Sequence, residues 1–246
     1  MNIPYEKDNK ERIPFTHYLE EFQALDPETA SLRSGIPYDK EKKEFSLRML
    51  GKEFLISWPE FEGVNYMVEA MKYQWDVAGK WWKEICAFAK KNGVKKIAIE
   101  EFPGTLVHNV RTFKKLCEIV GEDSDVLGLN LDPSHLMIQG ADPIAAARTL
   151  GDKIFYVHGK DARIERGLAD VDGLLETLPV ERSADRTWNY VAVGCGKDLQ
   201  WWKEFFSVCH MMGYDGYVSL EMEDLTMSVE AGLQTSIDAL KQTISQ

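Results

Sequence analysis

Four short apolar runs along the chain each end in an acidic or imidazole side chain. They occupy residues 97–100, 127–132, 154–158 and 217–221, and they end in Glu100, Asp132, His158 and Glu221. Each run has the length of a buried β-strand, and polar loop residues and then helical periodicity follow it. Because parallel strands connected by helices present functional side chains at their carboxyl ends, the pattern predicts that these four side chains share one edge of a sheet.

The spacing of the runs matches the repeat of a (β/α)8 barrel. Asp132 follows Glu100 by 32 residues, His158 follows Asp132 by 26, and Glu221 follows His158 by 63. A strand–helix unit takes about 31 residues, since about 250 residues make eight. The longest interval contains a further apolar run at 190–194, which we interpret as one more strand of the sheet. The prediction is an α/β protein with a TIM-barrel-like parallel sheet.

The pattern before residue 63 is different. Residues 1–62 are polar and irregular, with a predicted β-hairpin at 45–58, and helical periodicity then extends from residue 64 to 91. Only about sixty residues precede this helix, whereas three strand–helix units need about 90. We therefore predict an N-terminal segment, 1–62, and a barrel domain, 63–246, that lacks its usual first strands. Either the barrel is incomplete, or the hairpin replaces its first part, or another chain closes it, which predicts a homo-oligomer.

Capping residues and glycines mark where further helices begin and end, and they predict helices at 112–120, 142–150, 199–212 and 228–244. Between the third and fourth runs, residues 161–187 are rich in Asp, Glu and Arg. We interpret them as a long polar loop, and a loop of that length in a compact domain is usually functional.

Composition excludes several classes of protein. The chain has 246 residues and a formal charge of −11, which disfavours a nucleic-acid partner because such binding depends on cationic contacts. No apolar run reaches the roughly 20 residues of a membrane span. The four cysteines form no CxxC pair, which is typical of a reducing compartment. The first twenty positions include several charged residues, which disfavours a signal peptide. We therefore expect a cytoplasmic protein with no membrane association.

Residues 73–244 resemble the sugar phosphate isomerase/epimerase family, the xylose-isomerase-like TIM barrels. The segments that carry the resemblance include GVKKIAIE at 93–100, NLDPSHL at 130–136, VHGKD at 157–161, GYDG at 213–216 and SLEMED at 219–224. The resemblance implies a divalent metal ion held by Glu100, Asp132, His158 and Glu221. Residues 1–60 match no part of the family. Phe102, Met222 and Lys197 stand where the family usually has histidine.

Three carboxylates and a neutral imidazole suit Mn²⁺, Mg²⁺, Co²⁺ or Zn²⁺. Such an ion chelates adjacent oxygens of a ketose or hydroxyketone and favours its enediolate. Glu100 and Glu221 are then the candidate catalytic residues, one removing a proton and the other returning it on the opposite face. Taken singly, each acid is equally compatible with a helix cap or a loop charge.

The resulting prediction is a metal-dependent isomerase or epimerase of a small sugar, ketose or polyol. A polyol dehydratase of the same superfamily is one alternative. The other is a noncatalytic or subunit-type relative, motivated by the missing strands and the three replaced histidines.

Five further residues are candidates for substrate binding. His135 either hydrogen-bonds a substrate hydroxyl or is a structural histidine beside the neighbouring aspartate. Lys160 and Asp161 either orient the imidazole ligand, contact substrate or form a loop salt bridge. Arg163 is a candidate for an anionic or hydroxyl group, with a solvated arginine as the alternative. Trp188 is the tryptophan we assign to a substrate contact.

Overall fold

The structure is a computed structural model that describes residues 65–244 and, before them, residues 2–3, 13–14, 38–39, 41, 44–49 and 52–57. Side chains are described at Glu41 and from Ala70 to Ile244. The chain forms two compact units, Met1–Ala78 and Gly79–Gln246, and the division falls within helix α1, Asn65–Lys91. The predicted helix at 64–91 is thereby confirmed, whereas the predicted boundary between residues 62 and 63 stays a prediction.

The described strands of the first unit are all antiparallel. Strand β1 (Asn2–Ile3) pairs with β2 (Ile13–Pro14), and β3 (Tyr38–Asp39), β4 (Glu44–Met49) and β5 (Lys52–Ser57) form a three-stranded sheet in that order. The register pairs Met49 with Lys52, so two residues connect β4 and β5. The predicted hairpin is therefore confirmed.

A four-stranded parallel sheet organises the second unit. Its strands are β6 (Ile97–Glu100), β7 (Leu127–Leu131), β8 (Ile154–Gly159) and β11 (Val218–Leu220), in the spatial order β11-β8-β7-β6. The four apolar runs are thus confirmed as neighbouring parallel strands. In the register, Glu100 lies beside Asn130 and Ser219 beside His158, which brings the carboxyl ends of all four strands to one edge.

Helices follow the strands, and polar caps fix where they begin. Asn109 forms a capping box with Thr112, while Asp142, Asp198 and Ser228 each accept a backbone N–H of the first turn of their helix. The four predicted helices are confirmed to within two residues. The helices are α2 (Val110–Val120), α3 (Pro133–Met137), α4 (Pro143–Leu150), α5 (Arg166–Asp172), α6 (Leu199–Met211) and α7 (Val229–Thr243), with 3-10 segments at Gly121–Val126, Gly151–Lys153 and Val180–Asp185.

Two predictions for the region after β8 are wrong. Residues 190–194 do not add a parallel strand, because β10 (Trp188–Val191) pairs antiparallel with β9 (Asp161–Ile164) and β8 pairs directly with β11. Residues 161–187 are not one loop, since they contain β9 and α5. A short apolar run indicates a strand but not its partner, and the partner is set by contacts distant in sequence.

The core of the second unit lies along the two inner strands. Leu127, Leu129 and Leu131 of β7 are fully buried, and Phe113 of α2 and Trp202 of α6 are among the largest buried side chains. The outer strands β6 and β11 are only half-buried. Over residues 65–244 these four parallel strands do not close into a barrel, and no helix in that stretch is long and apolar enough to cross a membrane.

Candidate metal centre

The four predicted ligands meet at the carboxyl edge of the parallel sheet. Glu100, Asp132, His158 and Glu221 each offer one ligand atom, and these atoms all lie within 4.8 Å of one another. His158 Nδ1 is at the middle of the group, 3.5 Å from Glu100 Oε1, 3.5 Å from Asp132 Oδ2 and 3.3 Å from Glu221 Oε1. Three carboxylates and one imidazole nitrogen therefore face a space the size of a cation.

Each ligand comes from a different strand. Glu100 is the last residue of β6, Asp132 directly follows β7, His158 lies near the end of β8, and Glu221 directly follows β11. Pro133 begins helix α3 immediately after Asp132, whose Oδ1 caps that helix by accepting the N–H and hydroxyl of Ser134. The cap fixes the carboxylate so that its other oxygen, Oδ2, faces the group.

Two buried atoms of the group, Asp132 Oδ2 and His158 Nδ1, make no hydrogen bond of good geometry, although polar atoms lie close by: His135 Nε2 is 3.2 Å from Asp132 Oδ2, and Glu221 Oε1 is 3.3 Å from His158 Nδ1. Buried polar groups are nearly always paired, and leaving one unpaired costs about 1–3 kcal/mol. Both atoms are strong metal ligands. A divalent cation would pair both at once, so the residues present fit the metal that the resemblance implies.

The electrostatics of the group also favour a cation. The hydrogen bond between His135 and Glu100, and then the nearby imidazole of His158, hold the pKa of Glu100 far below its usual range. Although burial alone would lower the pKa of His158, the carboxylates of Asp132 and Glu100 raise it to about 10. In the metal-free protein the imidazole is therefore a cation among carboxylates, and a metal ion would replace its proton.

His135 is fully buried beside the ligands. Its Nε2 lies 3.0 Å from Glu100 Oε1 and 3.2 Å from Asp132 Oδ2, and its Nδ1 lies 3.1 Å from the Tyr190 hydroxyl. These contacts hold Glu100 in position. Both interpretations of His135 given above remain open, because a residue that positions a ligand also lies beside any bound substrate.

Asn130 contacts the ligand imidazole and was missed in the sequence. Its side-chain amide lies 2.9 Å from His158 Nε2, and its Oδ1 is buried without a partner. An imidazole that binds a metal through Nδ1 carries its proton on Nε2 and needs an acceptor there. Turning the amide by 180° supplies that acceptor, Oδ1. The sequence feature that could have identified this residue is an asparagine inside the otherwise apolar run LGLNL.

Glu101 is a second missed residue. It is fully buried next to Glu100; its Oε1 accepts the backbone N–H of Asp132 at 3.2 Å, and its Oε2 has no partner. Burial raises its pKa well above the ordinary glutamate value. Glu101 thus fixes the backbone of Asp132, one of the four predicted ligands. The sequence feature that could have identified Glu101 is the pair of consecutive glutamates at the end of a strand.

Lys160 is a buried cation on the rim of the centre. Its Nζ donates to Glu221 Oε2 at 3.0 Å and to Glu223 Oε1 at 2.7 Å, and it lies 4.4 Å from the centre of the Tyr190 ring. Burial alone would lower its pKa, but the hydrogen bond to Glu223 and the other carboxylates raise it. Lys160 therefore orients Glu221 rather than the imidazole.

In the part of the chain that the structure describes, Asp161 does not contact the metal centre; its carboxylate closes a neighbouring turn. Its carboxylate accepts the N–H groups of Ala162, Gly194, Gly196 and Lys197 and the indole N–H of Trp202. The amides at 194–197 are consequently directed at a side chain of the chain itself, and the segment is a tight turn closed by a carboxylate. No contact joins Asp161 to His158 among the described residues.

The two remaining candidates lie beyond the ligands. Arg163 donates to Glu165 Oε1 at 2.8 Å and is partly exposed. Trp188 donates its indole N–H to the carbonyl of Leu174 and lines a cavity of about 280 Å³. Tyr190 and Glu223 line the same cavity, which therefore adjoins the centre through the partners of His135 and Lys160.

Three residues that stand where the family usually has histidine lie around the same edge of the parallel sheet. The Phe102 ring contacts His135, with 4.6 Å between ring centres, and Met222 lines the cavity. Lys197 lies over the Trp201 ring at 5.7 Å. These substitutions leave the four-ligand group intact.

Two curated proteins are similar to this chain in sequence to different extents. The uncharacterized protein YfiH of Bacillus subtilis is 59% identical over 194 residues, which are 78% of this chain and 59% of that protein. The inosose dehydratase of Clostridium perfringens is 26% identical over 167 residues, 67% of this chain and 52% of the enzyme. This chain thus spans between half and three fifths of the length of these relatives.

A solved structure supports the same fold. The crystal structure of AsbF from Bacillus anthracis, described as a probable 3-DHS dehydratase involved in petrobactin synthesis, superimposes with a TM-score of 0.50 at 22% identity, covering 66% of this chain and 55% of AsbF. In addition, residues 47–243 match the family described as xylose isomerase-like TIM barrel. The match begins before the expected residue 73, so the prediction that residues 1–60 match no part of the family is wrong for residues 47–60. That match covers most of the chain and agrees with the parallel sheet and its ligand edge, so the protein belongs to the xylose isomerase-like TIM barrel family.

Proposed function

We propose that this chain carries the active site of a metal-dependent isomerase or epimerase of a small sugar, ketose or polyol. One observation carries the proposal. Four side chains from four strands place their ligand atoms within 4.8 Å of one another, and two of those atoms are buried without a partner. A bound divalent cation supplies a Lewis acid that makes the proton beside a substrate carbonyl more acidic.

Glu221 is the residue to which we assign proton removal. It follows the outer strand β11, its side chain is 35% exposed, and Lys160 holds its Oε2. Glu100 ends the opposite outer strand, β6, and its low pKa makes it the weaker base. The two carboxylates approach the centre from opposite sides of the sheet edge. Glu100 therefore takes up a proton from solvent and delivers it to the other face of the substrate's enediolate, while Glu221 releases the abstracted proton to solvent.

A dehydratase is the second candidate, favoured by the similarity to inosose dehydratase. The first step is the same: Glu221 accepts the carbon-bound proton. The enediolate electrons then form the carbon–carbon double bond as the neighbouring hydroxyl leaves. The ammonium of Lys160, 3.0 Å from Glu221, is the acid that donates a proton to this hydroxyl, so that water departs.

Proton exchange with solvent tests the step that both candidates share. The chain is incubated in D₂O with Mn²⁺ or with EDTA, together with an inosose and a panel of ketoses, and NMR follows the proton beside the carbonyl. Metal-dependent deuterium incorporation with a new stereoisomer or an aldose supports the isomerase or epimerase. Loss of water with formation of an enone supports the dehydratase. Bound Mn²⁺ without any exchange contradicts both and supports a noncatalytic relative.

Substitution of Glu221 tests the assignment of the base. Glu221→Gln keeps the shape of the side chain but cannot accept the proton, so exchange falls by at least about 100-fold while the circular dichroism spectrum is unchanged. Glu230→Gln, at an exposed acid in the first turn of α7, is the matched control and keeps full exchange. Full activity of the Glu221 variant would show that another residue removes the proton.

A further inference from the structure

The cavity beside the metal centre contains a buried cation. Arg186 lines this cavity of about 280 Å³ and is only 5% exposed. Its guanidinium lies 4.6 Å from the centre of the Trp188 ring, which forms another part of the wall. A stacked guanidinium is held flat and presents its N–H groups in a fixed plane.

The hydrogen bonds of Arg186 leave one nitrogen available. Nε donates to the carbonyl of Trp188, and Nη1 donates to the carbonyl of Leu178. Nη2 makes no hydrogen bond to any residue that the structure describes. Two backbone carbonyls carry no net charge, so they orient the guanidinium without neutralising it.

Lys160, the other buried cation of this region, has two carboxylates within 3.0 Å. Arg186 has no carboxylate oxygen of a described residue within 4.0 Å. The acid on its own segment, Glu176, is close enough for its charge to act on Arg186, but its oxygens accept the N–H groups of Thr177, Leu178 and Thr187 and not those of the guanidinium. A buried charge without a directly bonded counter-charge is costly, and an anion in the cavity would reduce that cost.

We propose that Arg186 forms an anion subsite that holds a carboxylate or phosphate group of the substrate. The inference rests on the proposed function and adds a substrate class to it: a polyol or ketose that bears an anionic group. The cavity adjoins the centre through Tyr190, whose hydroxyl contacts His135, and through Glu223, which contacts Lys160. A substrate chain therefore extends from the ligands to Arg186.

The site also has a polar and an apolar side suited to such a molecule. Ser183 and Thr226 are polar residues of the lining, whereas Val180, Leu225 and Met222 supply apolar surface. Recognition of the anionic end by one guanidinium fixes the orientation of the substrate. The carbonyl end is then directed to the ligands.

Binding of three matched compounds tests this subsite. Isothermal titration of the full chain loaded with Mn²⁺ compares sorbitol, gluconate and sorbitol 6-phosphate, which share an open six-carbon polyol chain and differ in charge. A charge-assisted hydrogen bond contributes about 1.5–3 kcal/mol, so at least one anionic compound binds about tenfold tighter than sorbitol. A preference for gluconate identifies a carboxylate, and a preference for sorbitol 6-phosphate identifies a phosphate.

Arg186→Gln removes this preference and brings the anionic compound to the affinity of sorbitol. Arg182→Gln is the matched control, because Arg182 lies on the same segment, is exposed and is paired with Asp185. It keeps the preference. Equal binding of all three compounds to the wild-type chain, or a preference that survives Arg186→Gln, overturns the proposal.

A chemical measurement covers the case in which Arg186→Gln does not fold. Phenylglyoxal modifies accessible guanidinium groups, and mass spectrometry locates the modified arginines. The preferred anion protects Arg186 in the wild-type chain and leaves Arg182 reactive; unchanged modification of Arg186 overturns the proposal. Metal content is measured in parallel. A chain that binds no metal contradicts the proposed function, whereas a metal-loaded chain without anion preference contradicts only the subsite.

Discussion

Asp132 and Asp161 differ in their hydrogen bonding although the sequence presents them alike. Both are fully buried, both lie where a strand of the second unit meets its neighbouring loop, and both were predicted as site residues. Asp132 Oδ1 pairs with Ser134, while its Oδ2 has no partner and faces His158 at 3.5 Å. Both oxygens of Asp161 accept hydrogen bonds, from four backbone amides and one indole.

The comparison shows what separates a ligand from a structural carboxylate. Burial and position at a strand do not distinguish the two aspartates, but unmet hydrogen-bonding capacity does. A carboxylate whose oxygens are all paired has no lone pair directed at a ligand. One with a buried unpaired oxygen is poised to accept a cation. Isosteric substitution of each aspartate separates these two roles.

The largest effect is expected for Asp132→Asn. The change retains the oxygen that caps α3 and replaces the free oxygen by an amide nitrogen, which cannot bind a cation. Affinity for Mn²⁺ therefore falls by more than about 100-fold. This loss exceeds the roughly 10–100-fold loss that is typical when a residue that only hydrogen-bonds a metal ligand is replaced. Competition with a fluorescent chelator measures it. Unchanged affinity would exclude Asp132 from the ligand set.

Asp161→Asn should have the opposite profile. Either orientation of the new amide directs its N–H₂ at backbone N–H donors, so the turn at 194–197 loses its acceptor. The free energy of unfolding falls by about 3 kcal/mol, the scale of a buried charge-assisted network left unsatisfied. Urea denaturation of the metal-free chain measures this. Metal affinity of the folded variant stays within about twofold of wild type, and a larger loss would show that the two sites are coupled.

Asn130→Leu sharpens the comparison at an uncharged residue. It removes the acceptor for His158 Nε2–H, and loss of such a partner typically weakens metal binding by about 10–100-fold. Asn130→Asp keeps an acceptor and retains affinity. Asn189→Leu removes another buried amide, which contacts Glu165 and Ser183, and is the matched control. Equal affinity of the Leu and Asp variants would show that the amide does not orient the imidazole.

The smallest effect, taken per unit of pH, is the dependence of stability and metal affinity on pH. The pKa of His158 in the metal-free chain is about 10, above the ordinary value of 6.5. A raised pKa stabilises the folded state fully below pH 6.5, and this stabilisation is lost as the pH rises through about 10. Metal binding displaces the same proton, so metal affinity rises with pH by up to about tenfold per unit over this window.

Two measurements check these opposite slopes. Urea denaturation of the metal-free chain from pH 6.5 to 10 should show falling stability. Titration calorimetry in buffers of different ionisation enthalpy should show one proton released per Mn²⁺ bound near pH 7. Binding without proton release would mean that His158 is neutral before the metal arrives.

Much of the ligand edge could be predicted from the sequence. An apolar run of four to six residues that ends in Glu100 or Asp132 specifies a strand and places a carboxylate just beyond its buried part, because both features are local. The caps at Asp142 and Ser228 specify helix starts for the same reason. The parallel arrangement of the four runs followed from their spacing.

The local sequence pattern did not predict strand pairing or burial where these depend on contacts made in the folded chain. The run at 190–194 has the composition of an inner strand, yet β10 pairs antiparallel with β9, because the edge of β8 is occupied by β11. Arg186 lies in a stretch that reads as a charged loop, yet it is buried against Trp188. The partner strand of β10 ends 24 residues before β10 begins, at Ile164 against Trp188, and the burial of Arg186 depends on the cavity that the folded chain forms around it.

The sequence by itself determined which residues form the strands, which four side chains stand at their ends, and the family to which the chain belongs. Only the tertiary structure decided which buried polar atoms lack partners: Asp132 Oδ2 is free and Asp161 is not, and Asn130 meets an imidazole 28 residues away. The physical reason is that burial of a strand depends on local apolar content, whereas satisfaction of a hydrogen bond depends on atoms that only folding brings together.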